Sequence, residues 1–523
     1  MRSLLPLIAV TAAALSGCAT NPVTGRQEIQ MVSEQQEIQL GQQYYAPSRQ
    51  SQGGDYVTDP AVNAYVQRVG QKLAAVADRP LPYEFEVLNS GELNAWALPG
   101  GKIAINRGLL AELKNEAELA AVLSHEIVHA AARHGAQQME KGQLMQIGAA
   151  IATIGASVYG GSELGQVVGQ GAAVGAQLLQ AKYGRGDELE SDRYGMVYMK
   201  RAGYDLQAAV ALQELFVRKF NAGTEQDWMT GLFASHPPSQ ERVDANRRTM
   251  QELGGPGGDV GTERYAAAMA GLKRAAPAYA KQQQAVAAAN KGDLATARRL
   301  ANEAVKLEPR ESRFHGLLGD LAMAGQDPRA ALGHYQKAAQ LDPGYFKPKV
   351  QAGMAHYRLG NRGAAEPLLD QSMKLLPTAP GAYYLGRINE DRGNLPEAVR
   401  LYKLAAGSKS PIGEEAQGRL VRLDLAQNPE TYLAIQPQLD NQGRLWLTVG
   451  NRTSVPVGRV SLLVGVVDPS SGRTAYGPER IGTGATAIPP RKAVNLRTSL
   501  GPFGSGDVLR YVKWKVERAE PAQ

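Results

Sequence analysis

The chain has 523 residues, 43% hydrophobic and 20% charged. That composition is globular rather than disordered, and the length exceeds the roughly 250–300 residues at which a single core stops growing, so several domains are expected. Lys and Arg total 57 against 50 Asp and Glu, a formal charge of +7, but they are scattered among acids without a basic, aromatic-interleaved block, which argues against nucleic acid as a partner.

The chain opens MRSLLPLIAVTAAALSGCAT. Arg2 and the apolar stretch after it, too short for the ~20 residues a membrane span needs, read as an export signal. Cys18, the one cysteine, follows Leu15-Ser16-Gly17. This resembles the bacterial lipobox, which implies removal of residues 1–17 and lipidation of Cys18. A lone cysteine rules out an internal disulfide. Ala19 after it favours sorting to the outer membrane, so the expected location is the periplasm, held by a lipid anchor.

Residues 21–46 are polar with helical spacing, and 60–78 read as an amphipathic helix through Val62, Tyr65, Val66, Val69 and Leu73. Short strands are predicted at 83–88 and 102–106, with NAWALPGG between them as a turn. A helix is predicted over 116–134, with Asn115 as N-cap and Gly135 closing it. The Gly- and Ala-rich stretch 142–181 has its longest apolar run at 147–158, about half a membrane span. It is expected to form close-packed helices or a flap beside the active site. QELGGPGGDVGT begins a linker placed at 251–274.

Gly292, Gly325, Gly360 and Gly393 then recur at about 34-residue intervals, as do Pro309, Pro343 and Pro377. That spacing resembles the tetratricopeptide repeat and implies helix pairs over 275–427, stacked into a solenoid with a binding groove. His315, His334 and His356 fall in these repeats as surface or packing residues. From 428 to 523 the pattern turns to period two, predicting a small all-β, sandwich-like domain.

The sharpest chemical signal is SHEIVHAAARHG. Positions i and i+4 share a helix face, so His125 and His129 can aim two imidazoles at one point, while Glu126, about 100° around, can reach a water there. Catalytic zinc usually keeps three protein ligands and an open position. His134 lies on the far side of the same helix, so the third ligand should come from another element. GRGDELESDRYG places Glu188 and Asp192 one turn apart, and Glu188 fits. Glu190 should point elsewhere, into solvent.

NAWALPGGKIAINRGLL, HEIVH, DELESDRYG and SHPPSQER, in that order, resemble the M48 family of metallopeptidases. The lipobox with NPVTGRQEIQ resembles its periplasmic lipoprotein branch, and the repeats its BepA-like members. The 428–523 region is not part of that pattern. The resemblance implies a mainly α, zincin-like (gluzincin) peptidase domain over 18–250. It implies one Zn2+ per chain on His125, His129 and Glu188, with Glu126 as general base. Asp192 would orient a ligand histidine. His236 would lie near the metal, as an oxyanion stabiliser or a ligand of a latent form, on a loop anchored by Arg242. The strand Lys102, Ile103, Ala104, Ile105, Asn106 is expected to offer an edge for extended substrate. The implied activity is endopeptidase cleavage of unfolded or misassembled envelope proteins, with the repeats docking substrate or outer-membrane assembly machinery. The alternative is a chaperone or scaffold with a latent metal site.

Overall fold

A computed structural model describes residues 18–140, 183–222 and 232–522. The predicted signal segment, the Cys18 side chain and the stretch 142–181 lie outside the described residues. The chain divides into two compact units, one ending at Leu376 and the other beginning at Pro377. The division falls inside the repeats rather than at the expected start of the β region.

The first unit opens with a two-stranded hairpin, β1 (Cys18–Thr20) and β2 (Gln27–Ile29), where helical spacing was expected. Helix α1 (Glu34–Ser51) follows, its Ser33 closing a capping box with Gln36. Helix α2 (Pro60–Ala74) carries the apolar stripe read from the sequence, with Val62, Val66 and Leu73 fully buried.

Three strands come next: β3 (Glu84–Leu88), β4 (Ala95–Leu98) and β5 (Lys102–Asn106). The NAWALPGG stretch is therefore only partly a turn. Ala95–Leu98 is a strand, and the reversal is confined to its end, where Gly100 and Gly101 adopt positive φ of 76° and 83°. The order is β3-β5-β4, parallel between β3 and β5 and antiparallel between β4 and β5. This overturns the expectation that Lys102, Ile103, Ala104, Ile105 and Asn106 form an edge. As the central strand, β5 already pairs on both sides, and β3 and β4 are the outer strands.

After α3 (Arg107–Glu112), helix α4 (Glu116–Ala131) carries the two histidines; the Asn115 side chain accepts from the Glu118 N–H, as its N-cap role requires. The helix ends earlier than expected. Arg133, not Gly135, takes the left-handed conformation, at φ 66°. Its buried guanidinium is tied to Glu37, Glu140 and the Val32 carbonyl, contacts that offset the cost of that backbone.

Helices α5 (Arg185–Arg201), α6 (Gln207–Ala222), the short α7 (Leu232–Ser235) and α8 (Gln240–Glu252) complete the region around α4. Gly195 allows α5 its close approach: a Cβ there would come within 3.2 Å of Ser124 Oγ and the His125 nitrogen. Among the described residues no helix is long and apolar enough to cross a membrane.

The expected linker is largely helical. Helix α9 (Thr262–Ala268) sends Tyr265 into the core, where its hydroxyl donates to the Leu110 carbonyl, and α10 (Ala270–Asn290) begins within the predicted linker. Repeat helices follow as α11 (Leu294–Leu307), α12 (Ser312–Ala324), α13 (Pro328–Leu341), α14 (Phe346–Arg358) and α15 (Arg362–Leu375). Gly292 and Gly360 turn with positive φ, whereas at Gly325 the left-handed residue is Gln326. Glu311, fully buried between α11 and α12, accepts from Thr58 Oγ1 at 2.8 Å, Asn89 Nδ2 at 2.9 Å and Tyr279 Oη at 2.6 Å. The first repeats are thus fastened to the β3 region.

The second unit holds α16 (Ala379–Asp391), α17 (Leu395–Ala406), α18 (Pro411–Asp424) and α19 (Pro429–Tyr432). Its strands are β6 (Leu433–Leu439), β7 (Leu445–Asn451), β8 (Val457–Val467), β9 (Thr474–Gly482), β10 (Ala493–Arg497) and β11 (Val512–Pro521). They form two three-stranded antiparallel sheets, β10-β7-β6 and β11-β8-β9. Alternation is clean: Leu445, Leu447 and Val449 are fully buried on one face of β7.

Candidate metal centre

Helix α4 presents His125 and His129 one turn apart, Nε2 to Nε2 at 3.0 Å. Helix α5 brings Glu188 to the same point, its oxygens 3.5 Å from His125 Nε2 and 3.4 Å from His129 Nε2. His236, in the Pro-rich loop between α7 and α8, adds Nδ1 at 2.9 Å from Glu188 Oε1 and 3.3 Å from His125 Nε2. One ligand atom from each of these four side chains lies within 4.8 Å of all the others. Three imidazoles and a carboxylate form a nitrogen–oxygen donor set suited to a borderline divalent ion, and burying them together without a cation is costly.

The surrounding residues fix the donors' directions. Asp192 Oδ1 accepts from His125 Nδ1 at 2.9 Å, turning the other ring nitrogen towards the cluster. Arg242 on α8 grips Asp192 through Nε and Nη2 at 2.7 and 2.8 Å, reaches Glu188 Oε2 through Nη1 at 2.7 Å, and donates to the Pro237 carbonyl at 3.2 Å. One guanidinium thereby joins Glu188 and Asp192 to the loop that carries His236.

Two neighbours of His129 were not anticipated. His134 was set aside because of its angle on a continuous helix. The turn at Arg133 instead folds it back, so that its Nδ1 lies 2.9 Å from His129 Nδ1 and its Nε2 3.2 Å from Glu190. Glu190 is accordingly not solvated: its side chain is 16% exposed. Tyr183 stacks on the His129 ring at 3.8 Å. The local signal for His134 was its place three residues after a helix of strongly apolar content, where a buried imidazole needs a partner.

Electrostatics set the protonation states. Burial pushes the Glu126 carboxyl above its ordinary range, against the pull of His236 and His125. Burial would raise Glu188 too, but His236, Arg242 and His125 hold it well below the carboxylate range. Burial holds the His129 imidazole well below the usual histidine value, which keeps it neutral as a ligand must be. Glu126 is 1% exposed, with Oε1 3.7 Å from His236 Nε2 and Oε2 without a hydrogen-bond partner among the described residues. That free acceptor, beside but outside the donor set, is suited to a water molecule at the metal.

Residues 60–250 match the model of peptidase family M48, and residues 283–346 and 350–411 match that of the tetratricopeptide repeat. Beta-barrel assembly-enhancing proteases are similar: 30% identical over 225 residues in Yersinia pestis, covering 42% of this chain and 45% of that one, and 27% over 236 residues in Escherichia coli K12, covering 44% and 47%. The match therefore spans about half the length of these relatives. The metalloprotease YcaL of Escherichia coli K12 is 31% identical over 185 residues, covering 34% of this chain and 68% of YcaL. With that match, the peptidase model over the four-donor cluster and the repeat model over the helix pairs, the chain belongs to peptidase family M48 and carries tetratricopeptide repeats.

Proposed function

We propose that the protein is a zinc-dependent endopeptidase of the bacterial cell envelope that cleaves unfolded or misassembled polypeptides, with its repeats docking substrate or a partner such as outer-membrane assembly machinery. The observation that carries this reading is the convergence of His125, His129 and Glu188 with a buried, unpartnered Glu126 oxygen beside them. Zinc bound there supplies Lewis acidity, bringing the pKa of a water towards about 7 and polarising the scissile carbonyl. Glu126, its basicity raised by burial, takes the proton from the attacking water and passes it to the leaving amine. Asp192 and His134 hold the ligand rings in place.

An extended substrate is proposed to pair with β4, the sheet edge beside α4, so unfolded segments are preferred because only they can add as a strand. Attachment to the outer membrane through Cys18 rests on the lipobox resemblance.

Metal analysis and digestion of denatured casein by the full mature chain test this reading together. Glu126→Gln is expected to keep one zinc per chain and lose cleavage by about 10²–10⁴-fold. His125→Ala is expected to lose the metal, and unchanged stoichiometry would refute the ligand set.

One observation favours a second reading, a scaffold with a latent site. His236 makes a fourth donor, and four protein ligands close a zinc site to water. On this reading we propose that His236 covers the site at rest and that the repeat groove is the main functional element.

A further inference from the structure

A pocket with a cavity volume of about 50 Å³ for the centres of water-sized spheres lies beside the donor cluster, between α4, α5, α6 and α8. His125, Glu126 and His236 are among its lining residues. Its walls are apolar: Val122, Met196, Met199, Leu212, Phe216 and Leu232 all line it. Asn246 lies one turn beyond Arg242 on α8, and Met196 one turn beyond Asp192 on α5. The lining therefore runs about 6 Å along α8, from Arg242 to Asn246, and about 10 Å along α5, from Asp192 to Met199.

Apart from Ser124, Ser191 and the charged and imidazole groups of the donor cluster, the polar side chains in this lining are Gln213 on α6 and Asn246 on α8, which are 6% and 2% exposed. Gln213 Oε1 and Asn246 Oδ1 have no hydrogen-bond partner among the described residues. Buried acceptors are ordinarily satisfied, because leaving one unpaired after its water is displaced is costly. Covering both with a purely apolar side chain would impose that cost at each. An aromatic body with a hydroxyl at its tip fills the walls, donates its one proton to one of these acceptors and offers its oxygen to the N–H of the other amide.

We propose that this pocket is a specificity subsite, next to the scissile bond, for a substrate side chain with an aromatic body and a terminal hydroxyl, tyrosine above all, with the side-chain amides of Gln213 and Asn246 as its hydrogen-bond partners. The inference rests on the endopeptidase reading and names the substrate feature it selects. A site built to bond a hydroxyl discriminates strongly against the analogue that lacks it, whereas an apolar pocket hardly separates the two.

The test uses the full mature chain loaded with zinc. Cleavage sites in a denatured protein, mapped by mass spectrometry, are expected to be enriched in Tyr over Phe and Leu on one side of the bond. Paired peptides differing only in Tyr or Phe at that position are expected to differ at least tenfold in kcat/KM, and the ratio is expected to fall towards one in Gln213→Leu and in Asn246→Leu. A ratio near one in the unaltered chain, or a ratio unmoved by both substitutions, overturns the proposal. Equilibrium binding of the same peptides to the Glu126→Gln chain separates this from the activity itself. If no peptide is hydrolysed but the Tyr peptide still binds at least tenfold tighter, hydrolysis fails and the subsite stands; equal binding of the two peptides overturns the subsite. Single substitutions at two positions guard against one variant failing to fold.

Discussion

His134 Nδ1 stands 2.9 Å from Nδ1 of His129, so one ring donates and the other accepts, and Nε2 of His129 is left facing Glu188 and His125. Glu190 holds the far nitrogen of His134 at 3.2 Å. A carboxylate, an imidazole and a metal-facing imidazole are thus linked in series, parallel to the Arg242–Asp192–His125 series on the other side. Outer partners of this kind orient a ligand and raise its basicity. His134→Ala is expected to retain all four donors yet weaken zinc binding by about 10–100-fold, measured by competition with a chromogenic chelator. Unchanged affinity would reduce His134 to a packing residue.

Arg242 is 5% exposed and serves two buried carboxylates. Removing one partner of a buried ionic group costs about 3–5 kcal/mol, because the charges left behind stay desolvated. Arg242→Ala should lower the melting temperature of the metal-free chain sharply. Zinc should restore part of the loss by supplying a cation to Glu188. Equal destabilisation with and without zinc would show that the guanidinium acts only through Asp192 and the His236 loop.

His236→Ala leaves three donors and an open corner. If His236 covers the site at rest, casein digestion by this variant should exceed that of the unaltered chain several-fold at matched zinc content. Abolished digestion in a zinc-loaded variant would instead assign His236 to stabilising the transition state.

Asp342 sits in the turn where Gln50 of α1 bonds the repeat backbone at Gly344 and Phe346. Burial, with Asp55 and Glu311 nearby, pushes its carboxyl up to about 6. A folded pKa above the unfolded value of about 3.8 means that the native state holds the proton more tightly. The associated stability is complete below about pH 3.8 and is lost as pH rises through about 6. Asp342→Asn should therefore match the parent near pH 4 and exceed it by about 3 kcal/mol above pH 7 in denaturant titrations. A constant difference across that range would place the repulsion elsewhere.

What the sequence determined by itself is local or periodic. The i, i+4 placement of His125 and His129 follows from helix geometry alone, and the Asn115 cap from side-chain chemistry adjacent to it. The 34-residue spacing likewise describes helix pairs that form from near neighbours, and the period-two alternation after residue 428 marks strands whose pairing it does not assign. Where local rules were applied past their reach, the outcome differed. Ala95–Leu98 read as a turn because it is short and precedes Pro99, and it becomes a strand only because β5 supplies its partner. Residues 262–274 read as a linker after a Gly-rich run, and are helical because Tyr265 finds a buried place among the core residues of α2, α3 and α4.

Tertiary structure decided what depends on distant chain segments meeting. That β5 is central, and cannot offer its backbone to a substrate, is a property of three paired strands and of no one of them. Arg133 at positive φ, which folds His134 back on His129, is sustained by buried pairing to Glu37 on α1, about a hundred residues earlier. The orphaned acceptors of Gln213 and Asn246 lie on two helices whose sequences look merely amphipathic. Only their packing removes water from both and makes both line one pocket, because desolvation belongs to the assembled interior rather than to any stretch of chain.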